Sequence, residues 1–341
     1  MLVVVMPDNN SNKGKVMSFQ SARQSSERDT IREMIEQFGQ CWLEGEAAAM
    51  PLLMQQEVQL ISHQHGEHKG RDAVLQALSR DTAAAALLGQ TSNHYIAVDG
   101  DQAAASMYLF GLKPGHKRQY FLFGAALVMR LQRHENGWLF SEIRLQVNWS
   151  HGDRGLMSHW KNVPGEHGWK MGDEPPVLVS ELHSPWALLP DAPVPESLPE
   201  ALSELYARYS FAVDQNDMSL LTTAYSQDIS GGFAPVGNFS GHDKVISILK
   251  NFRHLASVWQ HFAHVVRVED EGDGRHAKMI IARIIPERPV DEQGRQVYGA
   301  HYQLRVRLED DHQWRICWTD YRTGWFTQDD VPEFDIGRAT A

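Results

Sequence analysis

The chain has 341 residues, of which 42% are hydrophobic, and a formal net charge of −11. That length allows two domains with separate cores, and an acidic balance with no basic block argues against nucleic acid as the main partner. No apolar run is long enough to cross a bilayer, the apolar start Met1–Pro7 is too short for a secretory signal, and the two cysteines, Cys41 and Cys317, sit in apolar patterns; a cytoplasmic protein with reduced thiols is expected.

In chain order, residues 1–26 are polar and read as a mobile tail. Ile31, Met34, Ile35, Phe38 and Trp42 follow helical spacing and predict a helix from Arg28 to Gly45. An apolar strand around Val58, Leu60 and Ile61 follows, then a helix opened by Gly70-Arg71-Asp72. Four strand-like runs, 91–99, 102–112, 118–133 and 137–149, complete the unit, with turns at Asp99-Gly100-Asp101 and Glu135-Asn136-Gly137. The segment 151–196 is rich in proline and holds Trp160, Trp169 and Trp186, which suggests a connector laid over a domain surface. A second helix is expected from Ser197 to Asn216, and further strands at 257–269, 276–286, 296–309 and 313–323.

The second half repeats the first. Gln90-Thr91-Ser92-Asn93-His94 aligns with Gln260-His261-Phe262-Ala263-His264, Glu44 with Asp214, Gly70-Arg71-Asp72 with Gly241-His242-Asp243, and Trp138 and Trp149 with Trp314 and Trp325. A repeat this long means two copies of a domain rather than a solenoid. The expected organisation is a domain at 27–150, the connector, a domain at 197–330 and a tail at 331–341. Helices followed by a long antiparallel meander give an α+β fold, each unit a curved sheet wrapped around helices into a cone.

These elements and motifs resemble the SnoaL-like group of the nuclear transport factor 2-like superfamily, in tandem, over residues 28–150 and 197–330. The second copy is most similar to scytalone dehydratase-type domains through Asp214-Gln215-Asn216-Asp217 and Gln260-His261-Phe262. The resemblance implies that Asp214 and His261 meet inside the cone and act as an acid/base pair. Histidine titrates near neutrality, and a carboxylate would fix its tautomer. Counted back from Trp314, His301 and Gln303 fall where the family has pocket-facing polar residues. Glu287, in Ile285-Pro286-Glu287, stands in for a family histidine. Val213 and Phe233 occupy the places of two family tyrosines that hold the substrate carbonyl, so that half of the site lacks a donor unless His301 supplies one. Phe233, Phe252, Trp259, Phe262 and Trp325 would hold a ring by shape.

The first copy puts Thr91 and Glu44 in place of His261 and Asp214. Ala125 and Leu127 stand for His301 and Gln303, so the second copy is expected to hold the functional pocket. Plainer readings stay open. His261 could be a core or interface histidine and Asp214 a helix-end residue. His301 and Gln303 could share an outer face with Arg305 and Arg307. The cluster His63-x-His65-x-x-His68 reads as a solvated turn rather than a metal site.

The expected activity is a cofactor-independent dehydratase or isomerase acting on a small hydroxylated cyclic or aromatic carbonyl compound, with catalytic His261, Asp214 and His301 and substrate-binding Gln303, Glu287, Phe233, Trp259 and Phe262. The alternative is a non-catalytic small-molecule-binding or interaction module of the same fold. Neither a cofactor, a metal nor a membrane partner is expected. The two copies would pair as an intramolecular pseudo-dimer.

Overall fold

In a computed structural model, residues 19–46, 48–117, 119–164, 175–255 and 260–336 are described, the side chains of 19–26 and 252–255 excepted. The first unit runs α1 (Phe19–Glu44), β1 (Met54–Ser62), β2 (Gly66–Lys69), α2 (Arg71–Ser79), β3 (Leu88–Asp99), β4 (Gln102–Pro114), β5 (Tyr120–His134) and β6 (Gly137–Gly152). Two single-turn helices follow, α3 (Ser180–His183) and α4 (Pro185–Leu188). The second unit runs α5 (Leu198–Asp214), α6 (Met218–Ala224), β7 (Tyr225–Phe233), β8 (Gly237–Ser240), α7 (His242–Leu255), β9 (Ala263–Asp270), β10 (His276–Arg283), β11 (Val297–Leu308) and β12 (Trp314–Thr327). Helix α1 starts at Phe19, inside the stretch read as a tail; residues 1–18 of that stretch lie outside the described residues.

Each unit builds one six-stranded sheet. The orders are β2-β1-β6-β5-β4-β3 and β8-β7-β12-β11-β10-β9, the same topology twice. Both sheets are mixed rather than wholly antiparallel, because β1 joins β6, and β7 joins β12, in parallel. The meander alone would be antiparallel; its last strand comes back alongside the first strand of the early hairpin and runs in the same direction. Neither sheet closes into a barrel.

The apolar stripe of α1 becomes the core of the first domain, with Ile31, Ile35, Phe38 and Trp42 at 0–1% exposure against the concave face of the sheet. In the second domain Leu202, Leu205, Tyr209 and Val213 of α5 fill the same role. The glycines that open α2 and α7 sit in left-handed backbone, Gly70 at φ 92° and Gly241 at φ 90°, which explains why the Gly-x-Asp motif recurs in both copies.

The domains pack through the outer face of the first sheet. Tyr108, Phe110, Leu122, Ala126 and Val128 meet Phe211, Phe262, Ala282, Ile284 and Tyr298 of the second domain. This arrangement fits an intramolecular pseudo-dimer. Trp186 of the connector stacks on Tyr95 with ring centres 4.6 Å apart and donates its indole N–H to Glu204 at 2.7 Å. Trp160 is buried in the first domain, and Trp169 lies outside the described residues. Among the described residues, no helix is long and apolar enough to cross a membrane.

Candidate functional site

The second domain encloses a cavity of about 320 Å³ between α5, α7 and the concave face of its sheet. Helix α5 ends at Asp214 and β9 begins two residues after His261; the His261 side chain lines the cavity and Asp214 stands behind it. Their contact is close and doubled. Asp214 Oδ1 lies 2.6 Å from His261 Nδ1, and Oδ2 accepts the His261 backbone N–H at 2.7 Å. Both residues are buried, His261 at 8% exposure. Holding the ring and its own backbone with one carboxylate fixes both the imidazole plane and its tautomer, with the Nδ1 proton toward Asp214.

The first domain also holds this histidine. Asn93 of β3 donates through Nδ2 to the His261 carbonyl at 2.8 Å and to Ser210 Oγ at 2.9 Å, while its Oδ1 accepts from the Ala263 N–H at 3.1 Å. Gln260 donates to the Ala125 carbonyl at 2.8 Å. The backbone on both sides of His261 is therefore tied across the domain interface.

Tyr206, Tyr209, Tyr225, Tyr302 and Tyr321 line the rest of the cavity with Arg283, Thr319 and an apolar set that includes Val213, Phe233 and Leu249. Burial raises the Tyr206, Tyr209, Tyr225 and Tyr302 hydroxyls above the usual phenol range, so they stay protonated donors. These tyrosines reverse the expectation that the site lacks phenol donors. Val213 and Phe233 do stand at the aligned positions, but neighbouring elements bring hydroxyls into the same space.

His301 and Gln303 do not line this cavity. Tyr302 and Leu304 of β11 do, together with their partners Tyr321 and Thr319 on β12, so the odd-numbered residues of β11 point to the opposite face. There His301 packs edge-on against Phe326, 5.6 Å between ring centres, and the Gln303 amide binds the backbone of Glu333 and Asp335. The misplacement is a register slip. Trp314 pairs with Leu308, but Trp138 pairs with Arg133, so the turn before Trp314 is one residue longer. Counting back from the tryptophans exchanges the two faces of the strand.

Glu287 lines a separate cleft of about 1120 Å³ between the domains. Phe262 is buried in the domain interface against Tyr108 and Phe110, with ring centres 5.8 and 5.3 Å away. Trp325 is exposed. Trp259 and the Phe252 side chain lie outside the described residues.

A β-bulge recurs between Arg130 and Leu131 and between Arg305 and Val306, and it supplies a correct alignment of the two domains. Arg283, Tyr302, Thr319 and Tyr321 then correspond to Leu109, Leu127, Ile143 and Leu145, all at 0% exposure in the first core. Tyr225 corresponds to Met54, since each is the strand residue that pairs with Ile316 or Phe140. At these five positions a polar group of the second cavity replaces a close-packed apolar side chain of the first. The signal was present in the sequence: Arg283 is a lone charge inside Met279-Ile280-Ile281-Ala282-Arg283-Ile284-Ile285.

The histidine cluster of the first domain is not a solvated turn. His65 is buried, with Nδ1 2.9 Å from Ser62 Oγ and Nε2 2.9 Å from Asp81 Oδ2. Asp81 also meets His159 and receives the indole N–H groups of Trp42 and Trp160. Burial alone would raise the Asp81 carboxyl, but the His65 charge and these hydrogen bonds hold it well below the usual range. This polar plug pins the connector to the first domain.

The sequence model of the SnoaL-like domain family matches residues 23–144 and 198–320, together most of the chain. No curated protein sequence matches it. Solved structures align with one domain at a time. A nuclear transport factor 2-like protein with a cystatin-like fold from Novosphingobium aromaticivorans is 20% identical, covering 37% of this chain and 84% of its own, with a TM-score of 0.34. A protein from the same organism described as a candidate scytalone dehydratase is 12% identical over 45% of this chain and 99% of its own, at 0.36. A hexachlorocyclohexane dehydrochlorinase of LinA type from Novosphingobium barchaimii is 15% identical over 39% and 93%, at 0.35. With both halves matched by one family model and both folded to one topology, the chain belongs to the SnoaL-like domain family as a tandem pair.

Proposed function

We propose that the second domain is a cofactor-independent dehydratase or isomerase acting on a small hydroxylated cyclic or aromatic carbonyl compound. The observation that carries this reading is the buried His261–Asp214 pair opening on a cavity whose counterpart in the first domain is solid core. His261 Nε2 takes a proton from the carbon next to the carbonyl, Asp214 stabilises the imidazolium, and the tyrosine hydroxyls donate to the carbonyl oxygen as it gains charge. In a dehydration the imidazolium then returns the proton to the departing hydroxyl. One C–H and one C–O bond break, a C=C bond forms, and water leaves with no change of oxidation state.

A binding module without chemistry is the second reading. It is favoured by the hydrogen bond from the His261 backbone to Asp214, which would be useful for packing alone. The two separate by proton exchange. β-Hydroxy cyclic ketones incubated in D2O should lose α protons and water in the presence of the protein, and His261→Ala should slow this by about 10²–10⁴-fold, the usual worth of general acid–base catalysis. His261→Gln serves as the second variant if Ala lowers the melting temperature. Undiminished exchange in a folded His261 variant would refute the catalytic reading.

A further inference from the structure

We infer that the ligand of the second-domain cavity carries a carboxylate, received by Arg283. This rests on the reading of the cavity as a ligand site, but not on any particular reaction there. Arg283 ends β10 and lines the cavity. Its side chain is partly buried, and Asp214 is the carboxylate whose charge acts on it. One terminal N–H goes to the Gln260 carbonyl at 3.2 Å, the guanidinium also meets the Tyr206 hydroxyl, and its Nε–H is buried without a partner. Among the described residues, no carboxylate forms an ion pair with it. Asp214, the nearby acid, has both oxygens committed to His261.

A partly buried guanidinium in this condition is costly, and it cannot escape by losing its proton. The chain treats the buried Arg208 of this domain differently: it lies 3.1 Å from Glu204. Nor does the fold require a charge here, since the first domain has Leu109 at the corresponding place, fully buried. A cation kept in a cavity with no direct ion pair leaves room for an anion brought by the ligand. The planar fork of a guanidinium matches the two oxygens of a carboxylate. The rest of the wall, with Val213, Phe233, Leu249, Leu304 and Ile316, suits the flat apolar body of a ring. The substrate class that fits is therefore a small cyclic or aromatic carboxylic acid, its carboxylate on Arg283 and its reacting carbon toward His261.

The test uses benzoate and its neutral isostere benzamide as probes on the full-length protein. A fragment of this size is expected to bind with a Kd of about 1 mM. At about 10 mM, benzoate should raise the melting temperature by about 2 °C, while benzamide should have little effect. Calorimetric titration should show at least about a tenfold preference for benzoate, which Arg283→Gln and Arg283→Leu abolish. Arg283→Leu, the first domain's own solution, should melt no lower than the parent. Equal binding of both probes, no binding of benzoate, or a benzoate preference that survives in a folded Arg283→Leu protein would overturn the inference. A fall in the melting temperature of Arg283→Leu would assign the guanidinium a structural role instead. Proton exchange by His261 is read separately, so the inference and the proposed reaction fail independently.

Discussion

Asn93 offers the sharpest test of how the first domain serves the second. It sits in left-handed backbone at φ 54°, so Asn93→Gly deletes the side chain without adding backbone strain, whereas Asn93→Ala would confound the two. The deletion removes the bonds to the His261 carbonyl and Ser210 Oγ and the bond from the Ala263 N–H. At about 1 kcal/mol each, with more where a buried group is left unpaired, the loss should reach about 3 kcal/mol. Urea denaturation followed by tryptophan fluorescence measures it. Because the lost bonds flank His261, the NMR signals of its imidazole should broaden or shift, and any proton-exchange activity should fall more than binding of a ligand does. A loss below about 1 kcal/mol with an unchanged His261 spectrum would show that the interface merely abuts the site and does not hold it.

Two further outcomes follow from buried histidines. His264 faces Glu36, His94 and Tyr298 at the domain interface, and burial, with a smaller push from His94, lowers it to about 4. The unfolded chain takes up this proton near pH 6.5 and the folded one near 4, so stability is fully present above 6.5 and lost as pH falls toward 4. The loss should be on the order of 3 kcal/mol, and His264→Gln should flatten that limb of the pH–stability curve relative to the parent. An unchanged limb would contradict the assignment. His301 is buried with neither ring nitrogen partnered, so His301→Leu should leave proton exchange intact and raise stability by about 1 kcal/mol; loss of exchange would return His301 to the site.

The repeat, the helix stripes and the strand runs were legible because burial imposes a period on each element, and two copies impose it twice. The pairing of Asp214 with His261 could be anticipated from a resemblance in short motifs. The face of β11 drew two opposed readings. The local pattern did mark the outer face, since His301 and Gln303 share parity with Arg305 and Arg307 while Tyr302, Leu304 and Val306 alternate with them, but a single extra residue in the turn before Trp314 made the count back from the tryptophan point the other way. His301 and Gln303 were misplaced for that reason, and Tyr302 and Arg283 were overlooked.

The sequence by itself determined the tandem α+β architecture, the family and the histidine and carboxylate that approach each other, because periodicity and motif are properties of neighbours along the chain. Only the tertiary structure decided what else faces the cavity. It set tyrosines and one guanidinium without an ion-pair partner among the described residues around the dyad, sent Glu287 and Phe262 to the domain boundary, and made a first-domain asparagine part of the histidine's support. Those relations depend on strand register and domain docking, which bring together residues as far apart as Asn93 and His261 through packing that no single segment encodes.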